Sequence, residues 1–225
     1  LAFLSKESGI ILPLLCVGYD IYRHLRNRHP GDGAWAGLRA IGTGAWATLR
    51  EGRWLYLPLG VLAGGFAAYV LLFVRGTSQQ SYHGGSLGMT LLTMMRVVLH
   101  YIGLLLFPIT LNADYSYNAF PVTTSWTDPK ALAALLVLAG LGYGWLILVA
   151  RRPLAAFGGA WFALALLPVS QIVPHHELMA EHYLYIPSAG FCFLVVGLLE
   201  PLLVDPQRAR AAYLVVGLVL GLLSL

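Results

Sequence analysis

The sequence predicts an all-α fold, a polytopic transmembrane helical bundle of about six spans plus one re-entrant or interfacial helix. Three observations predict it. Composition is 58% hydrophobic and only 11% charged, and mean hydropathy is +0.72, outside the range of water-soluble domains. Apolar runs recur at roughly the twenty-residue length that a helix needs to cross hydrocarbon. Arginines gather in alternate connections, the pattern that orients helices in a bilayer.

The apolar runs fall at 1–22, 54–74, 130–150, 154–173 and 184–200, with another opening at 211. Met89–Phe107 is also apolar but carries Arg96 and His100 and is closed by Pro108. Charge counting decides its status. If it does not cross, ten loop arginines share one side and only Arg75 and Lys130 lie opposite; if it crosses, the division becomes seven against five. The first arrangement obeys the positive-inside rule, so Met89–Phe107 is expected to re-enter or lie on the extracytoplasmic face. Leu1 opens inside one apolar run and Leu225 closes inside another. The chain therefore reads as part of a larger protein, and no signal peptide is assigned.

In chain order, Ser5-Lys6-Glu7-Ser8 lies about 8 Å into the first run at 1.5 Å per residue. Adjacent helical residues point about 100° apart, so at least one of Lys6 and Glu7 must face the bundle or an aqueous cavity. Arg23–Gly33 is an arginine-rich hairpin suited to anionic headgroups. Trp35, Leu38, Ile41, Ala45 and Leu49 at helical spacing predict that Ala34–Leu49 lies flat on the membrane surface. Gly76–Gly88 has the composition of a surface loop. Arg96 and His100, four residues apart, share one helical face, and the planar fork of an arginine suits a phosphate. Asp114 stands in a loop after Pro108. Gly140 and Gly144 are spaced as GxxxG, which predicts close helix–helix packing. Cys16 and Cys192 lie inside apolar runs without metal or CxxC spacing and are expected to be small buried hydrophobes.

Pro174–Ser188 (PHHELMAEHYLYIPS) concentrates His175, His176, Glu177, Glu181, His182, Tyr183 and Tyr185 between two apolar runs. Ionisable groups at that density beside hydrocarbon mark a functional site. A helical turn would align Glu177, Glu181 and Tyr185, with His182 beside the row. HExxH is absent and His176 to His182 is not a same-face spacing, so no metal site is expected.

With those residues laid out, SKESGI at 5–10, LNADYS at 111–116 and AEHYLYIPSAGF at 180–191 resemble the signatures of the transmembrane-and-TPR-repeat O-mannosyltransferases. These are GT-C-type glycosyltransferases that use a polyprenyl-phosphate sugar. The sequence departs from the family pattern at His182, where an arginine is expected. The resemblance implies that residues 1–225 form part of a membrane-embedded domain that transfers a sugar, mannose in this family, to a protein or other acceptor on the extracytoplasmic face. Its usual catalytic acid lies in a loop upstream of these motifs, and its TPR repeats follow the membrane domain. No 34-residue repeat is visible here, so the segment alone is expected to be inactive.

Such a reaction needs cations or donors on the phosphate and a carboxylate for the acceptor hydroxyl. Glu181, His182, Glu7 and Asp114 are the expected catalytic set. Lys6, Arg96, Tyr183 and Tyr185 are expected to hold the donor. No tightly bound cofactor, metal or nucleic acid is implied; the partners are membrane lipid, the lipid-linked sugar and a protein acceptor. The competing class is a transporter or flippase with these charges lining a path, although no paired internal repeat is visible. Twelve arginines against two lysines place the bacterial inner membrane ahead of the endoplasmic reticulum.

Overall fold

The computed structural model describes residues 9, 11–26, 32–69, 72, 82–109, 111, 112, 115, 120–174 and 177–204. Among them seven α-helices follow in order: α1 (Leu12–Arg26), α2 (Ala34–Glu51), α3 (Arg53–Tyr69), α4 (Leu87–Leu106), α5 (Pro129–Arg151), α6 (Pro153–Leu166) and α7 (Tyr185–Val204). Two 3-10 turns, Leu167–Val169 and Glu181–Leu184, precede α7, and no strand occurs among these residues. The fold is an all-α membrane bundle.

Local chemistry sets the helix ends. The Ser86 side chain accepts from the Met89 amide and starts α4, and Asp128 accepts from the Lys130 amide ahead of Pro129 in α5. Both supply an acceptor to amides that have no partner within the helix. Proline at the first helical position loses no hydrogen bond, which also suits Pro153 in α6.

Leu87–Leu106, Pro129–Arg151 and Glu181–Leu202 are the described helices long and apolar enough to cross a membrane, and Pro153–Val169 is shorter. Over the expected runs at 1–22 and 54–74 the described residues include α1 and α3, of 15 and 17 residues, and the rest of each run lies largely outside the described residues. The run at 154–173 leaves α-helical geometry at Leu166, where Pro168 draws the chain into a 3-10 turn. The run from 211 lies outside the described residues.

α6 and α7 pair antiparallel with backbone in direct contact. A methyl placed on Gly190 would sit 2.6 Å from the Phe162 amide nitrogen, and one on Gly158 would sit 2.6 Å from the Gly190 carbonyl oxygen. Small residues let apolar helices approach where lipid offers no hydrophobic drive for pairing. Gly140 and Gly144 do not serve this purpose, for a methyl added to either would meet no neighbouring helix within 4 Å. The GxxxG expectation therefore fails on α5, whose glycine face meets none of the other described helices.

α2 differs from expectation as well. Its buried positions are the small residues Gly37, Ala40, Gly44 and Thr48, which pack on α1 and α5, while Trp35, Leu38, Trp46 and Leu49 are exposed. The large apolar side chains face outward as for a lipid-facing helix, and the small ones make the packing seam.

α1 runs antiparallel to α6: Ile11 and Leu15 pack against Ala165, while Leu25 packs with Ala156. The bundle thus has two ends, one holding the last turn of α1 and the first of α6, the other holding the turn before α7. α4 spreads across the second end. Of its buried residues, Met94, Val97, Tyr101 and Leu104 join Leu166, Met179 and Leu184 in the largest core cluster among the described residues, with Thr90 and Thr93 buried beside them on the same helix.

Candidate functional site

The site grows from the segment between α6 and α7. Gln171, 1% exposed, adopts a left-handed φ of 61°, a conformation that costs a non-glycine residue free energy. Its amide nitrogen donates to the Glu177 carbonyl at 2.7 Å, which turns the chain toward α4. There Tyr101, 1% exposed, donates its hydroxyl proton to the Ala180 carbonyl and accepts from the Ala180 amide, both at 3.1 Å. One phenol thus satisfies both backbone groups of the residue preceding Glu181.

Held in this way, Glu181 meets the chain that follows α4. Its Oε1 accepts from the Asn112 amide at 2.5 Å and from the Tyr115 hydroxyl at 2.9 Å. Burial, and then the hydrogen bond and charge of Glu181, push the Tyr115 phenol up to about 12. Tyr115 therefore stays a proton donor across the neutral range. The AEHYLY and LNADYS stretches, 66 residues apart at this contact, converge on one carboxylate.

A chain of ring contacts continues along α4. His100 stands edge-on to Tyr115 at 6.2 Å and to Phe120 at 5.8 Å between ring centres, and its Nε2 is buried without a hydrogen-bond partner among the described residues. The Arg96 guanidinium lies 5.2 Å from the Phe120 ring centre, a cation–π geometry. Arg96 Nη1 donates to the Pro121 carbonyl at 3.0 Å and the Thr123 hydroxyl at 3.1 Å, and lies 3.6 Å from Asp128 Oδ2. The Thr123 amide in turn donates to Thr93 Oγ1 at 2.9 Å. The stretch Phe120–Asp128 accordingly doubles back along α4, pinned by Arg96 and Thr93. Burial alone would raise the Asp128 carboxyl, but the Lys130 amide, the Thr123 hydroxyl and the Arg96 charge together lower it, so this cap persists as pH falls below the ordinary aspartate range.

The sequence-predicted residues are distributed as follows. Glu181 lies at the convergence just described. His182 is exposed and rests against the Tyr183 ring at 4.4 Å between centres. The Tyr183 hydroxyl donates to Glu177 Oε2 at 3.1 Å, and Tyr185 is 85% exposed at the start of α7. The helical row of Glu177, Glu181 and Tyr185 does not form, because residues 177–180 are not helical and Glu181 opens a 3-10 turn. Arg96 commits one nitrogen to the returning loop. Lys6, Glu7 and Asp114 lie outside the described residues, as do His175 and His176. Cys16 and Cys192 are free thiols, and Cys192 is exposed rather than buried. Among the described residues no three His, Cys, Asp or Glu side chains gather in a metal-binding group.

Asn112 and Tyr115 lie within the LNADYS stretch, but the sequence does not single them out as site residues, and Tyr101 and Gln171 carry no signal in the sequence that marks them. Tyr101→Phe should lower the midpoint of thermal unfolding, because it strips the Ala180 carbonyl and amide of their shared partner; the cost is on the order of 1–3 kcal/mol. An unchanged midpoint would show that water or another group serves Ala180 equally well.

Fold and site together define an integral membrane protein of helical type, with a polar cluster at one end of its bundle built from two separated motifs. Residues 82–142 match the family model described as Protein O-mannosyl-transferase TMTC, DUF1736. That stretch contains α4, the returning loop and the first half of α5. The chain is also 31% identical over 100 residues to Protein O-mannosyl-transferase Tmtc3 of Drosophila melanogaster, a match covering 41% of this chain and 11% of that protein. The two matches support a TMTC-like O-mannosyltransferase family, over part of its domain. No solved structure matches the chain.

Proposed function

We propose that this chain is part of a membrane glycosyltransferase that moves mannose from a polyprenyl-phosphate carrier to a protein hydroxyl on the extracytoplasmic face. The observation that carries the reading is the convergence of Asn112, Tyr115 and Glu181, which joins two of the three motifs of the sequence resemblance in one place. Supporting it, the family match spans the helix and loop that supply Asn112 and Tyr115. The matched stretch covers 11% of the relative's length, so activity, substrate and partners are proposals for the whole protein.

In the proposed reaction the acceptor oxygen attacks the anomeric carbon, the bond from that carbon to the phosphate oxygen breaks, and the acceptor proton passes to a carboxylate. Glu181 orients the donor side of the site, and His182, Arg96 and Lys6 are the cations assigned to the leaving phosphate. Glu7 and Asp114 supply further carboxylates, and Tyr183 and Tyr185 flank the lipid carrier. The arginine-rich composition favours a bacterial inner membrane for this chain.

Transfer of radiolabelled mannose from a polyprenyl-phosphate donor to a protein acceptor by the intact protein tests the proposal. Uptake or flipping of the donor by proteoliposomes without transfer would replace it with a transporter. Topology supplies a separate test. Cysteines introduced at Ser86 and Ser116, on either side of α4 in the chain, should both react with an impermeant thiol reagent from the extracytoplasmic side. Labelling of one alone would mean that α4 crosses the membrane.

A further inference from the structure

A second polar feature lies at the opposite end of the bundle. Where the last turns of α1 meet the end of α2, a cavity of about 440 Å³ is lined by Asp20, Arg23, His24, Arg26, Thr48 and Glu51. This volume falls within the range of small-ligand sites. One wall is built firmly: the Tyr56 hydroxyl donates to Asp20 Oδ2 at 2.5 Å, and Arg23 Nη1 lies 3.6 Å from Asp20 Oδ1. Among the described residues no ion pair engages His24, Arg26 or Glu51. The cavity therefore presents cations on α1 and a carboxylate on α2 across one opening.

Its depth in the membrane is marked independently. Trp46 and Trp54, on the helices beside the cavity, are 71% and 80% exposed, and Arg53 lies over the Trp54 ring at 5.4 Å. Exposed tryptophans accompanied by arginine are characteristic of the headgroup layer. A charged cavity at that level opens onto lipid headgroups.

We propose that this cavity binds the headgroup of an aminophospholipid, with the phosphate on Arg23 and Arg26 and the primary ammonium on Glu51. The mixed lining selects a zwitterion. A purely anionic headgroup would meet Asp20 and Glu51, and a simple cation would meet two arginines. A carboxylate also rewards an ammonium that carries N–H donors, whereas a quaternary ammonium is held by aromatic faces, and no Phe, Tyr or Trp side chain is among the described residues that line the cavity.

The test uses the intact protein, delipidated in detergent, with lipid retention read by native mass spectrometry and thermal unfolding. Diacyl phosphatidylethanolamine should be retained at least about tenfold over phosphatidylcholine, roughly 1.4 kcal/mol, and should raise the unfolding midpoint. Arg26→Ala should weaken retention of both lipids, while Glu51→Gln should remove the preference between them. Both residues are exposed, so the lipid-free midpoints of the variants should match the unaltered protein and show that each folds. Equal retention of the two lipids would overturn the proposal. So would a preference for phosphatidylglycerol, or stabilisation by inorganic phosphate equal to that by the aminophospholipid, either of which would mean a plain anion site.

Discussion

Glu181→Gln in the intact protein is expected to lower mannose transfer at least about tenfold, roughly 1.4 kcal/mol of transition-state stabilisation. The geometry separates this effect from simple unfolding. Glutamine keeps a carbonyl oxygen that can still accept from the Asn112 amide and the Tyr115 hydroxyl, so only the charge is lost. A hydrogen bond to a neutral acceptor is about 1 kcal/mol weaker than one to a carboxylate, and with two donors on Glu181 the unfolding midpoint should fall as well, so turnover is compared per folded molecule. His182→Arg restores the residue expected from the motif, and because His182 is exposed the larger side chain meets no packing barrier. It should be tolerated and should tighten donor binding. A lower midpoint for Glu181→Gln with turnover per folded molecule intact would make the contact architectural and remove it from the reaction.

The same pair has a pH signature. Tyr115 is protonated in the folded protein up to about 12, against an ordinary tyrosine value of about 10. A group whose folded value is raised contributes its stability fully below the unfolded value and loses it as pH rises through the folded one. The Tyr115–Glu181 bond should therefore persist through neutral pH and weaken only above about 10.

The other large effect is expected at the α6–α7 seam. Gly190→Leu must drive a side chain into the Phe162 amide and the Gly158 carbonyl, both backbone and neither able to swing aside. Overpacking of this kind costs about 1–3 kcal/mol where neighbours can yield, and more is expected where backbone must separate along a whole helix pair. Loss of the folded population in detergent, followed by thermal unfolding, reads it directly. Gly140→Ala is the matched control: open space surrounds that position, and alanine is the better helix former by about 1 kcal/mol. It should be neutral or stabilising. Equal destabilisation by both would mean that the two glycines share a packing role.

The helical class was legible because composition and run length suffice for it. What could not be read were partners across the bundle. GxxxG at Gly140 has the same local pattern whether or not a neighbour lies against it, and the working glycines, Gly158 and Gly190, sit on different helices with no spacing to connect them. The site divided along the same line. Glu181 stood out as a carboxylate beside hydrocarbon and Tyr115 lay within the LNADYS stretch, but Tyr101 carried no mark, since nothing local tells a phenol that anchors in headgroups from one that holds a backbone. The row of Glu177, Glu181 and Tyr185 failed because it assumed a helical turn where Gln171 and Tyr101 instead hold an irregular one. Arg96 illustrates the opposite limit: its helix face was correctly read, yet its engagement by Pro121 and Thr123 depends on a loop that returns from the far end of α4.

The clamp of Tyr101 on Ala180 has a consequence for how the site can move. Two hydrogen bonds of equal length share one oxygen, so the segment cannot slide by a fraction of a residue without losing both. It is either docked or released, with no graded positions between, and a packed interface of this kind behaves as a latch rather than a spring. Glu181, one residue beyond the latch, is carried with it. The carboxylate and its two donors therefore engage and disengage as a unit, and any ligand that favours the docked state acts on all three contacts at once.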